Sequence, residues 1–175
     1  MTGTEMERIL QGCQALYGEA GIPVKVVEAD EQFPYASLLV AFDGIGEQER
    51  NIQLDICFLP SLQSSDEDPV QLLQTFVSIC EAPGVTLSPD MHRFIQLLNT
   101  NLPLGAFGWM EEAGVLFYKA NTIIDTAVDQ AQNVKMMDRQ NGLILHIHQL
   151  FMDVILDVWE GNASYEEARE RTPFT

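Results

Sequence analysis

Histidine is the first residue type to inspect for chemistry, because imidazole binds metals and transfers protons near neutral pH. The chain has three histidines, His92, His146 and His148. Two histidines that share a metal on one helix stand four residues apart, whereas a spacing of two turns their side chains about 200° apart. The pattern around His146 and His148 is helical, so the pair predicts no metal site. His92 follows a predicted helix start and is interpreted as a solvated or capping residue.

Acidic side chains cluster at Asp66-Glu67-Asp68 and at Glu111-Glu112. The first cluster lacks the ligand spacing of a calcium loop and is interpreted as a solvated loop followed by a helix cap. The second falls at a predicted turn and is interpreted as solvated. The chain contains neither a Gly-x-Ser-x-Gly element nor a glycine-rich loop that carries lysine. The sequence therefore predicts no catalytic residue, no metal and no cofactor, and we expect a protein that is not an enzyme.

The three cysteines, Cys13, Cys57 and Cys80, are dispersed along the chain, and each lies in an apolar pattern. An odd number of isolated cysteines favours reduced core thiols over a disulfide framework or a zinc site. The N-terminal residues Met1 to Glu5 show no basic segment followed by an apolar run, so no signal peptide is predicted. These features predict a cytoplasmic protein.

The charge balance is strongly acidic, with 9 Lys and Arg against 26 Asp and Glu and a net charge of −17. Binding to a nucleic-acid duplex or to anionic lipid requires clustered cations, whereas these are scattered from Arg8 to Arg171. No uninterrupted apolar run reaches the roughly 20 residues of a membrane span. We therefore expect no nucleic-acid partner and no membrane partner. The acidity indicates either solubility alone or a preference for basic partners.

Hydrophobic periodicity and turn signals predict a single α+β domain over residues 1–175, with an antiparallel sheet of about five strands (3+2) flanked by helices. The predicted order is α-β-β-β-α-α-β-β-α, followed by a short tail helix. Residues 125–140 are ambiguous. The predicted helices are at about 4–20, 69–80, 89–100, 142–160 and 164–172, and the predicted strands at about 22–28, 37–43, 52–58, 104–110 and 115–120. Ser88-Pro89 predicts one helix start and the capping box of Ser164 with Glu167 another, and Gly114 can supply a positive φ at the turn between the last two strands.

One stretch carries a family resemblance. Phe94-Ile95-Gln96-Leu97-Leu98-Asn99 is followed by Leu104-Gly105-Ala106-Phe107 and then by Glu112-Ala113-Gly114-Val115-Leu116-Phe117-Tyr118. Together with the element order, this stretch resembles YbjN-type proteins and type III secretion chaperones, in which a helix ending in Leu-Asn leads into a strand with a Gly-x-Phe element. The resemblance implies a chaperone-like fold and frequent dimerisation. Similar small proteins occur in cyanobacteria, and one such group assists carboxysome assembly.

The predicted helix at 142–160 has an unusually wide apolar surface. With 100° per residue, its polar side chains fall within an arc of about 120°, which leaves about 240° almost wholly apolar. One sheet face covers little more than about 100° of a helix. The excess is covered either within the chain or by a partner. Either of two flanks could be the exposed one, and they consist of Leu143, Ile147, Leu150 and Val154, or of Leu145, Met152, Leu156 and Trp159. We favour the second flank as an interface, since Met and Trp are enriched at interfaces.

The favoured hypothesis is a non-enzymatic protein-binding module, chaperone-like or an adaptor, that acts as a homodimer on a client protein. It would hold client segments by strand addition to a sheet edge or in apolar grooves. Two alternatives stay open. One is an enzyme or small-ligand-binding protein whose site is not visible in the sequence, and the other is a structural subunit of a larger complex.

Overall fold

The computed structural model describes residues 2–29, 35–59 and 69–174. The predicted loop and cap at Asp66-Glu67-Asp68 lie outside these residues. The elements, in chain order, are α1 (Thr2–Glu19), β1 (Val24–Val27), β2 (Ser37–Ile45), β3 (Arg50–Phe58), β4 (Val70–Glu81), α2 (Pro89–Asn101), β5 (Ala106–Met110), β6 (Val115–Asp125), α3 (Gln130–Trp159) and α4 (Tyr165–Glu170).

The strands form one six-stranded antiparallel sheet in the order β1-β2-β3-β4-β6-β5. The antiparallel direction of β4 and β6 is visible at both ends of the pair. The Thr126 amide donates to the Pro69 carbonyl at 2.8 Å, and the Ala82 amide donates to the Gly114 carbonyl at 2.7 Å. The α+β class predicted from the sequence is confirmed, whereas the predicted strand number of five is wrong.

The missing strand is β4, which was predicted as a helix at 69–80. Its inward-facing residues include two polar ones, Gln71 and Thr75, which are 1% and 0% exposed. Because these polar residues alternate with Leu73 and Val77 on the same face, the period-2 hydrophobic signal is masked. The branched side chains of this stretch also favour a strand over a helix. The element order is therefore α-β-β-β-β-α-β-β-α-α for the described residues.

The ambiguous segment 125–140 contains the end of β6 and the first third of α3. The strand continues past Ala120 to Asp125 through a run of β-branched residues. The helix then begins at Gln130, not near 142. Asp129 supplies a start signal, because its Oδ2 accepts from the Ala131 amide at 3.0 Å. Asn133 packs this turn by donating its Nδ2 to the Asp125 carbonyl at 3.0 Å.

The helix starts predicted at Ser88 and at Ser164 are confirmed. The Ser88 side chain accepts from the Met91 amide at the start of α2, with Pro89 in the first turn. Ser164 and Glu167 form the capping box that opens α4. The turn between β5 and β6 contains Gly114 with φ of 65°, which agrees with the positive φ predicted for this glycine.

The chain divides into two compact units, each built from three stretches. Unit 1 comprises Met1–Phe42, Gln53–Val77 and Ala120–Gly142, and unit 2 comprises Asp43–Ile52, Ser78–Lys119 and Leu143–Thr175. Neither unit is a continuous part of the sequence, and the single domain over residues 1–175 stays a prediction.

In unit 1, α1 packs on β1 and on the N-terminal part of α3. A Cβ on Gly12 would stand 2.7 Å from Cγ2 of Val134, so glycine allows the two helices to approach closely. Farther along, the Cys13 thiol contacts the Met137 sulfur at 3.6 Å. The Asn141 side chain donates to the Tyr17 hydroxyl at 2.9 Å, which satisfies a buried phenol.

In unit 2, α2 packs against β5 and α4. The Arg93 guanidinium lies 3.7 Å from the centre of the Tyr165 ring and donates to the Glu166 carboxylate at 3.1 Å. The ring of Phe151 stacks against Phe174 with 5.5 Å between centroids.

The helix α3 is long and apolar enough to cross a bilayer by length and composition, and half of its most apolar 18-residue window is buried within the folded chain. The expectation from the sequence rested on uninterrupted apolar runs. The helix α3 meets the length and composition criterion because its apolar window is interrupted by only a few polar residues. Core helices meet the same criterion of length and composition, so the match is only weak evidence for a membrane span.

Candidate functional site

The C-terminal half of α3, in unit 2, exposes two large apolar side chains. Leu143 is 37% exposed and Leu150 is 48% exposed. A spacing of seven residues places them two turns apart on one face of the helix. Their predicted companions on this flank, Ile147 and Val154, are 2% and 6% exposed and belong to the core. The exposed part of the flank is therefore the pair of leucines.

The favoured interface residues are on the other flank. Met152 and Leu156 are 2% and 8% exposed, so they lie within the folded unit, whereas Leu145 and Trp159 are half-buried. The Trp159 ring packs on Trp109 of β5 with 5.3 Å between centroids. The preference for this flank rested on residue type, and Met and Trp are common in cores as well as at interfaces. A binding role for these four residues stays a prediction.

Met152 and Leu156 also line a pocket of about 360 Å³ in unit 2. Its remaining walls come from β3, β4 and the turn before β3. The Arg50 guanidinium on the rim donates to Asp153 at 3.1 Å and to Gln48 at 2.6 Å, so its charge is already compensated. The pocket therefore offers an anion no uncompensated guanidinium. The other lining residues are Glu49, Asn51, Ile52, Ser78 and Ile79.

Asp153 holds the turn between β2 and β3 against α3. Its Oδ2 accepts from the Glu47 amide at 2.6 Å and its Oδ1 accepts from Arg50 at 3.1 Å. Next to it, Gln149 accepts from the Gly46 amide at 3.1 Å. Gly46 has φ of 77°, and a Cβ there would stand 2.8 Å from Cγ of Asp153. Glycine at position 46 therefore leaves room for the Asp153 carboxylate to reach the Glu47 amide.

We expect Asp153→Asn to lower the free energy of unfolding by about 2 kcal/mol, because it weakens two hydrogen bonds that the carboxylate charge strengthens. Asp157→Asn is the matched control. Asp157 lies one turn later and pairs with the exposed Arg171, so its loss is expected to cost less than about 1 kcal/mol. Urea unfolding of both variants measures the difference, and equal costs would contradict the role given to Asp153.

His148 is fully buried in unit 2, at 0% exposure. Its Nδ1 lies 2.7 Å from the Ile144 carbonyl, so that nitrogen carries the proton and donates. Its Nε2 has no hydrogen-bond partner. The rings of Phe107 and Tyr118 pack on the imidazole at 5.9 and 5.0 Å between centroids. Burial in this aromatic setting lowers the pKa of His148 to about 4, so the ring is neutral at physiological pH.

The other candidate residues for chemistry are dispersed. His146 is exposed and His148 is buried, so the two do not face a common ligand. His92 is exposed, and its Nδ1 is 3.1 Å from the Ser88 carbonyl at the start of α2. Burial raises the pKa of the Cys13 thiol to about 12 and the pKa of the Cys57 and Cys80 thiols to about 11. At neutral pH these three thiols are protonated and weakly nucleophilic.

Unit 1 contains the larger cavity, a groove of about 600 Å³ between the first half of α1 and the sheet. Its apolar wall consists of Met6, Leu10, Val26 and Phe58. Sequence reasoning did not predict this groove, because its walls come from three separate elements and only the fold brings them together. The polar and small lining residues are Glu7, Gln11, Glu28, Ala29, Tyr35 and Ala36.

The two edges of the sheet differ in whether their backbone groups are covered. On β5, the Asn99 side chain of α2 donates to the Phe107 carbonyl and accepts from the Phe107 amide, both at 2.8 Å. This side chain takes the place of a neighbouring strand and blocks further pairing at that point. The other edge, β1, has no such cap among the described residues.

Within residues 2–29, 35–59 and 69–174, no group of three or more His, Cys, Asp or Glu side chains is arranged to hold a metal ion. Comparison of the chain with protein-family models, curated proteins and solved structures found no match.

Proposed function

We propose that this protein is a non-enzymatic protein-binding module, chaperone-like or an adaptor, that acts in the cytoplasm as a homodimer. The observation that carries the proposal is the pair Leu143 and Leu150 on the outer flank of α3, 37% and 48% exposed. Water contact of two large apolar groups on one rigid helix face is unfavourable, and a second protein surface removes it.

The stretch from Phe94 to Tyr118 supports the same class of function. It resembles the YbjN and type III secretion chaperone-like proteins, whose members commonly dimerise. The paired contacts between Asn99 and Phe107 give this motif a structural role. Membership of that family, including its cyanobacterial members, is part of the proposal.

Leu150→Glu tests the dimer. The side chain is 48% exposed, so the charge remains in water in the monomer and the fold is expected to survive. In a dimer the same charge is buried without a partner, and we expect the dissociation constant to rise by at least about tenfold. Analytical ultracentrifugation over a concentration series measures the change.

Val85→Glu is the matched control, because Val85 has the same 48% exposure and lies in the loop before α2 and not on α3. It is expected to leave the dissociation constant unchanged. If Leu150→Glu dimerises as well as the wild type does while its thermal unfolding is unchanged, the outer flank of α3 is not the interface.

A further inference from the structure

The strand β1 is one edge of the sheet formed by the described residues. The Ala41 amide donates to the Pro23 carbonyl at 2.9 Å, and the register pairs Lys25 with Leu39. In an antiparallel ladder, alternate residues point their amide and carbonyl towards the neighbour. Pro23, Lys25 and Val27 thus face β2, while Val24 and Val26 point their amides and carbonyls outward. Since β1 is the first strand in the sheet order, no described strand pairs with them.

The groove of about 600 Å³ opens beside this edge, since Val26 and Glu28 line it. The Val24 and Val26 side chains point to the face of the sheet that α1 covers, because they pair with the buried Val40 and Leu38. A strand added next to β1 would place every second side chain on that same face. Those side chains would enter the groove, whose wall there is formed by Met6 and Leu10.

The rim of the groove is negatively charged. Glu7 and Glu28 line it and are exposed, and neither lysine nor arginine is among its lining residues. The nearest cation on β1, Lys25, is exposed on the opposite face of the strand from Val24 and Val26. Within a chain of net charge −17, this rim attracts cations and repels acidic segments.

We propose that β1 and the adjoining groove bind an extended, cationic segment of a partner protein, which adds as a strand and places alternate apolar side chains in the groove. The open edge supplies the backbone hydrogen bonds, the groove selects apolar side chains, and Glu7 and Glu28 select positive charge. The inference rests on the protein-binding function proposed above and identifies the chemistry of the bound segment.

The test uses the full-length protein and a fluorescein-labelled octapeptide of alternating valine and lysine. We expect saturable binding by fluorescence anisotropy at 20 mM salt, weakened by added salt because the rim charges are exposed. Two further peptides separate the contribution of charge from that of backbone hydrogen bonds. One replaces each lysine by glutamate, and the other carries N-methyl groups on its valine amides, which point towards β1 when the peptide adds antiparallel with its valines in the groove. Neither is expected to bind measurably.

Glu7→Gln combined with Glu28→Gln is expected to weaken binding of the lysine peptide by about fivefold or more. Glu111→Gln combined with Glu112→Gln is the matched control, because it removes two exposed negative charges from the β5–β6 turn in unit 2. This control should leave binding unchanged. Absence of binding at millimolar peptide, equal weakening in both double variants, or equal binding of the N-methylated peptide would each overturn the inference. Dimerisation through α3 is measured separately by ultracentrifugation. A failure of the peptide-binding test would therefore leave the proposed homodimer standing.

Discussion

Gly105→Ala is expected to lower the free energy of unfolding by about 3 kcal/mol or more. Gly105 has φ of 69°, which costs an alanine about 1 kcal/mol. Its Cβ would also meet the Tyr118 hydroxyl and would stand 2.8 Å from the Lys119 carbonyl oxygen. Tyr118 is fully buried and donates to the Leu104 carbonyl at 2.7 Å. Overpacking of this kind adds about 1–3 kcal/mol.

Gly21→Ala is the matched control for this prediction. Gly21 has a similar φ of 73° but no atom within 4 Å of an added Cβ. It therefore isolates the backbone cost, which we expect to be about 1 kcal/mol. Chemical denaturation of both variants gives the comparison. Equal destabilisation would show that Tyr118 moves aside freely and that the packing around Gly105 is loose.

Acid is expected to destabilise the protein through His148. In the unfolded chain its pKa is about 6.5, whereas burial lowers the pKa to about 4 in the folded chain. Above about pH 6.5 the His148 imidazole is neutral in both the folded and the unfolded chain, so this group costs no stability. Between about pH 6.5 and 4 only the unfolded state takes up the proton, so stability falls as the pH is lowered. By pH 4 the free energy of unfolding is lower by about 3 kcal/mol, since each pKa unit of difference corresponds to about 1.4 kcal/mol.

His148→Leu removes the titrating group and the unpaired Nε2, so its unfolding free energy should depend less on pH than that of the wild type over this range. His146→Leu, an exposed site two residues away, should retain the wild-type dependence, because its side chain remains in water in both states. Urea unfolding at pH 7 and pH 4.5 measures each. A His148→Leu variant with the pH dependence of the wild type would contradict the account of the buried imidazole.

Much of the fold was predictable because local signals agreed with tertiary packing. Ser88 with Pro89, Ser164 with Glu167, and Gly114 each act through neighbouring backbone atoms, so the sequence alone carries their effect. The alternation of β3 was also clear, since one face is apolar and buried at Ile52, Leu54, Ile56 and Phe58.

The strand β4 shows why the remainder was not predictable. Gln71 and Thr75 are as buried as their apolar neighbours, and nothing local indicates that tertiary structure will bury them. The start of α3 was missed for a related reason. Asp129 is an ordinary cap signal, but the segment after it mixes polar and apolar residues without a clear stripe.

The candidate surface was predictable in part. The apolar excess of the 142–160 helix indicated that one sheet face would not cover it, and cover of the remainder by a partner stays a prediction. Which flank remains in water depends on the elements folded around it, and the structure leaves Leu143 and Leu150 exposed while Met152 is in the core. The groove beside β1 depends on residues from α1, β1 and β3, so no single pattern in the sequence marks it.

The central claim is that the protein binds proteins through exposed apolar surface and associates with itself through α3. Sedimentation equilibrium of the wild-type chain tests it most directly. The account predicts an average mass that rises with concentration from the 19.6 kDa of one chain towards twice that value. A mass that stays at 19.6 kDa up to several hundred micromolar, where association through α3 should be complete, would contradict it.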